Sequence, residues 1–187
     1  MRFRGYILTA LLGLSFLAGC SDTSKPEAHH GGKSAGSADS GAVNVAALEP
    51  LLLAQAPSGV VSVKEAKAKK QNEKVVVRGQ VPPENVKPFN PGVAAFVMLS
   101  PEDLQRDEVK EELACDDAPT CPRCRKMLNE LGVRVELVDP SGKVIPSSLE
   151  GFRSLRGGSF ITIEGVIHRD GKDGKDVRIV AQRFYPG

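Results

Sequence analysis

The segment Cys115-Asp116-Asp117-Ala118-Pro119-Thr120-Cys121-Pro122-Arg123-Cys124 holds three of the four cysteines of the chain and is its one dense cluster of reactive side chains. Three thiolates can bind a soft or borderline metal. Zinc takes four N, S or O ligands in a tetrahedron, so one position stays open to Asp116, Asp117 or His168. Copper(I), which favours thiolates, is the second choice of ion. The Pro in Cys-Pro-x-Cys shapes a tight turn that aims both sulfurs inward. The same residues admit two other chemistries. An odd number of thiols allows one disulfide and one free thiol. Cys121 and Cys124 also stand just before a helical stretch, where a helix N-terminus lowers a thiol pKa as a redox pair requires. No βαβ pattern surrounds them, however. A c-type haem would need His after the second cysteine, and Arg125 is there.

No other catalytic set is legible. The chain shows no Ser-His-Asp grouping, no phosphate loop and no zinc-protease helix. A non-enzymatic binding module is therefore the expectation, its partner an envelope protein or a small ligand. His29-His30 sits in a Ser, Gly and Ala context and reads as a solvated pair. Arg153, Arg156, Arg169, Arg178 and Arg183 are candidates for a binding face, but Asp170, Asp173 and Asp176 interleave with the last three. That pattern reads as a mixed solvated surface. There is no Trp to stack on bases, so nucleic acid is not an expected partner.

The N-terminus sets the compartment. Arg2 and Arg4 precede an apolar run from Tyr6 to Leu17, which is too short for a comfortable membrane span. Leu17-Ala18-Gly19-Cys20 ends it, the layout of a signal peptide with a small-residue cleavage site. With Cys after the cut, the site resembles a bacterial lipobox. That resemblance implies an acylated Cys20 as the mature N-terminus, with the lipid bilayer as its partner. Each buried CH₂ of an acyl chain contributes about 0.8 kcal/mol. Ser21 in place of Asp leans the destination towards the periplasmic face of the outer membrane. Loss of Arg2 and Arg4 leaves 23 basic against 23 acidic residues, so no strong field for polyanions is expected. Outside the cytoplasm disulfides persist, which keeps that reading of the cysteines open.

These signals divide the chain into a signal peptide (1–19), a lipidated cysteine with its tether (20–58) and a folded domain (59–187). The tether is low-complexity from Ser21 to about Ala42. Val43 to Ala56 is more apolar, either a short helix packed on the domain or more tether. Ser62-Val63-Lys64-Glu65 has capping-box spacing, and the lysines that follow read as the solvated face of a helix. Strands are expected at Lys74–Val81, Ala94–Leu99, Val133–Leu137, Phe160–Ile167 and Val177–Tyr185, from period-two alternation bounded by turn residues. Gly79 within the first suggests a bulge or strong coiling. Pro101 to Leu113 and Arg125 to Leu131 read as helical, with Gly132 as a C-cap. The fold class is therefore mostly β with short helices. Five strands in this order fit an OB-fold-like barrel, with a helical, Cys-bearing insertion (about 101–132) between the second and third strands.

The tract Val61–Ala66, leading into Lys74-Val75-Val76-Val77-Arg78-Gly79-Gln80-Val81, is similar to the start of many OB-fold domains. The motif repeats at Ile161-Thr162-Ile163-Glu164-Gly165-Val166. Over roughly Val60 to Tyr185 the chain resembles uncharacterised OB-fold lipoproteins of planctomycete-type bacteria, which carry a Cys-rich insertion before the third strand. In that group the insertion bears aromatic residues where this chain has Cys121-Pro122-Arg123-Cys124. The resemblance implies fold and location, and no activity.

Overall fold

The computed structural model describes residues 41–115, 117–171 and 174–187. Cys20, the signal peptide, His29-His30, Asp116 and Asp173 lie outside the described residues. Among the described residues no helix is long and apolar enough to cross a membrane.

The chain forms a mixed β-sheet edged by short helices. Helix α1 (Val45–Leu48) is capped by Asn44, whose Oδ1 accepts from Ala47 N–H at 3.2 Å. Leu48 is fully buried in the main core, and Leu53 N–H donates to Phe184 C=O at 2.8 Å. Of the two readings of Val43–Ala56, the packed helix is the one observed. Strand β1 (Val61–Ser62) leads directly into α2 (Val63–Ala68). The expected capping box is formed: Ser62 Oγ accepts from Glu65 N–H at 3.2 Å, and Ser62 N–H donates back to Glu65 Oε2 at 2.7 Å.

Strands β2 (Lys74–Gln80), β3 (Ala95–Met98), β4 (Val133–Leu137), β5 (Phe160–Asp170) and β6 (Asp176–Pro186) correspond to the five expected ones. The two-residue β1 makes a sixth. The sheet order is β1-β2-β5-β6-β4-β3, with β1–β2 and β4–β6 parallel and the other pairs antiparallel. The ladder is thus a six-stranded sheet and is not closed into a barrel. Beyond β3, however, Gln80 and Leu99 exchange both backbone hydrogen bonds at 2.9 Å, so this edge touches β2 at one point.

Alternation puts Val75, Val77, Val135, Ile161, Ile163, Ile179 and Ala181 into one core, and Phe184 joins it after the extra residue Gln182 of β6 resets the alternation. Of the bulge or strong coiling expected at Gly79, the bulge is absent, since the β2–β5 register runs unbroken through Gly79↔Ile161. Gly79 serves close approach instead: a Cβ there would stand 2.9 Å from Leu99 O. The bulge falls between Glu164 and Gly165, opposite β6.

The insertion between β3 and β4 holds α3 (Pro101–Gln105), α4 (Asp107–Leu113) and α5 (Pro122–Leu131). The single helix expected over Pro101–Leu113 is broken at Arg106, whose ψ of 134° is extended. Val109, Leu113, Ala118 and Cys124, with Val86 from the β2–β3 connection, form a second, separate core.

Two basic residues fasten these parts. Lys67 on α2 was expected to face solvent. Its ammonium instead donates to the carbonyls of Asn129 (3.4 Å), Glu130 and Gly132 (3.0 Å) at the end of α5. Those carbonyls have no partner further along the helix, and the macrodipole there favours a cation. Burial pushes the Lys67 amine below its ordinary pKa. Arg169 on β5 donates to the carbonyls of Lys67 (2.6 Å), Lys69 (2.6 Å) and Gly174 (3.0 Å), and so closes the end of α2.

Candidate metal centre

The insertion brings its three cysteines together. Cys115 follows the end of α4. Cys121 is the N-cap of α5 with Pro122 at the first helical position, where a missing N–H costs nothing. Cys124 lies one turn into α5, pointing into the small core, and is fully buried. Cys115 and Cys121 are half-buried. All three sulfurs lie within 4.8 Å of one another, and none is in a disulfide. In a tetrahedral zinc site with bonds of about 2.3 Å, sulfurs stand about 3.8 Å apart. The cluster therefore needs only small side-chain movements to close around such an ion.

The polar surroundings differ for each thiol. Cys115 Sγ donates to Asp117 Oδ1 at 2.7 Å, and that carboxylate raises the Cys115 pKa to about 12. Cys124 Sγ donates to Glu112 C=O at 2.9 Å, and burial pushes this thiol up. Cys121 is held below its ordinary value, chiefly by the backbone N–H of Cys124 turned toward its sulfur at the start of α5. A metal ion would replace the thiol protons of Cys115 and Cys124 as the positive partner of these sulfurs.

Of the candidate fourth ligands, Asp117 is beside the cluster through its contact with Cys115. Asp116 lies outside the described residues. His168 sits on β5 opposite Arg178. Among the described residues, the set of ligand atoms mutually within 4.8 Å stops at the three sulfurs and includes neither Asp117 nor His168.

No protein-family model matches the chain, and no curated protein matches it.

The arginines considered as a binding face are largely engaged in ion pairs or carbonyl contacts. Arg178 pairs with Glu136 (2.6 Å) and Asp170 (2.5 Å), Arg183 with Glu164 (2.7 Å), and Arg153 with Glu49. Arg169 is spent on carbonyls, as above. Sequence reasoning missed the clamp made by Lys67 and the Glu112 carbonyl that receives the Cys124 thiol. Both depend on contacts between elements and leave no local pattern.

Proposed function

We propose that the chain is a lipid-anchored extracytoplasmic OB-like binding module whose insertion folds around a zinc ion held by Cys115, Cys121 and Cys124. The observation that carries the metal reading is the meeting of three unpaired sulfurs within 4.8 Å inside a separate small core. A segment of this size buries too little apolar surface to hold itself. Below roughly 40 residues a disulfide or a metal is usually needed. Zinc supplies that folding free energy when bound; Asp117, beside Cys115, is one source of a fourth ligand, and Asp116, its neighbour in the sequence, is another candidate. Copper(I) would suit the same sulfurs. The OB-like reading is supported by the antiparallel β2–β5–β6 run, the parallel β4–β6 pair and the return of the β3 edge to β2 at Gln80 and Leu99. The anchor rests on Leu17-Ala18-Gly19-Cys20, with the periplasmic face of the outer membrane favoured by Ser21.

A second reading has one observation in its favour. Cys121, half-exposed at the N-terminus of α5 beside a buried Cys124, has the asymmetry of a thiol pair that exchanges disulfides.

Metal analysis of anaerobically purified protein, with thiol counting, separates the two. The zinc reading expects one equivalent of zinc and three thiols that react only after chelation. A metal-free protein with one disulfide and one titratable thiol refutes it. The anchor is checked separately by Cys20→Ala, which should abolish palmitate labelling and release the protein from membranes. Labelling that persists in the variant rules the anchor out.

A further inference from the structure

The seam between the end of β2 and the helices of the insertion forms an open cleft of about 420 Å³. Its accessible apolar wall is Pro83 on the sheet side and Leu104 and Ala114 on the helical side, with Val81 and Leu113 buried beneath it in the two cores. Lys110, Leu113 and Ala114 reach it together because residues three and four apart share one helix face. Asn85 fixes the two walls to each other, since its side-chain amide donates to Leu113 C=O at 2.5 Å. The cleft falls in the size range of small-molecule sites, which are mostly apolar with a few placed polar groups.

Charge selects the ligand class. Among the described residues, Lys110 is the only ionisable one on the wall. Its ammonium, on a half-exposed side chain, pairs with Asp107 Oδ1 at 3.7 Å, and the Asp107 side chain is 93% exposed. Such a pair is weak and easily replaced by a better-placed anion. The wall's other polar side chains are the amides of Gln80, Asn85 and Gln105, and Gln80 already donates to Gly158 C=O at 2.9 Å.

We propose that this seam binds a small amphiphilic carboxylate, its head on Lys110 and a chain of roughly six to ten carbons along Pro83, Leu104 and Ala114. The inference rests on the binding-module reading and gives that module a site. It is distinct from the metal centre, although α4 runs from one to the other.

The test is an amide-resolved NMR titration of the mature protein with octanoate, and with 1-octanol as the uncharged counterpart. Saturable shifts are expected at Val81, Leu104, Lys110 and Ala114. Lys110→Gln should weaken octanoate about five- to ten-fold and leave octanol unchanged. Leu104→Trp should abolish both. Because Leu104 also touches the insertion core, Ala114→Phe provides a second way to fill the cleft from an exposed position. Metal content is measured for each variant, so a lost metal centre is told apart from a blocked cleft. Absence of saturable shifts in the metal-replete protein overturns the proposal. So does equal weakening of octanoate and octanol by Lys110→Gln, or binding that survives both filling variants.

Discussion

Replacing Lys67 with Met keeps the apolar stem and removes the ammonium that closes the end of α5. Three carbonyls lose a charged donor, those of Asn129, Glu130 and Gly132. A hydrogen bond to a charged group is worth about 1.5–3 kcal/mol net when buried. Here Asn129 and Glu130 are exposed, so water takes over part of their need, while Gly132 is buried. A cation at a helix C-terminus alone contributes about 0.3–1 kcal/mol. The expected loss is therefore about 1–2 kcal/mol, a fall in Tm of about 3–6 °C. The decisive readout is local. Lys67 lies on the sheet side and its acceptors in the insertion, so hydrogen exchange should accelerate across Pro122–Leu131 and stay unchanged in β5 and β6. Lys67→Arg should recover part of the effect. A variant with unaltered melting and unaltered exchange in α5 would refute the clamp and return Lys67 to the solvated face.

Two further outcomes follow from backbone geometry and charge. Gly165→Ala should cost about 1–3 kcal/mol in chemical denaturation, because its Cβ would stand 2.5 Å from Val180 O, a backbone atom that cannot swing away; wild-type stability would show that the bulge adapts. Ser62 N–H and Oγ hold the Glu65 carboxyl below its ordinary value of 4.5, so the stability it adds is complete above that pH and drains as pH falls through the folded value. Glu65→Gln should flatten the acid limb of a stability–pH profile, and an unchanged slope would show that the capping box titrates without consequence.

The sheet and the cysteine cluster were legible in the sequence to different depths and for different reasons. Alternation in Val133–Leu137 places the strand because a half-buried strand shows its period locally. Ser62 and Glu65 reveal the helix start in the same way, through a contact three residues long. The meeting of Cys115 with Cys121 and Cys124 needed a compact loop, and Pro119 signalled one. The break at Arg106 had no such sign. Neither Gly nor Pro stands there, and its side chain bonds acidic neighbours on both sides, Asp103 (3.4 Å) and Glu108 (3.0 Å). Lys67 was hidden among Lys64, Lys69 and Lys70 because its acceptors lie more than sixty residues away.

The two glycine motifs show where local reading stops. Val77-Arg78-Gly79-Gln80-Val81 and Ile163-Glu164-Gly165-Val166-Ile167 carry Gly at the same place in a strand, and in the sequence the first suggests a bulge or strong coiling. Gly79 keeps a regular register and admits the Leu99 carbonyl on the side where β2 meets the continuation of β3. Gly165 keeps a regular register with β2 but shifts against β6, where Val180 O and Ala181 Cα press on it. A missing side chain announces only that something comes close. Whether the close approach bends the strand or lets another cross it depends on which neighbour arrives, and that neighbour is supplied by the fold.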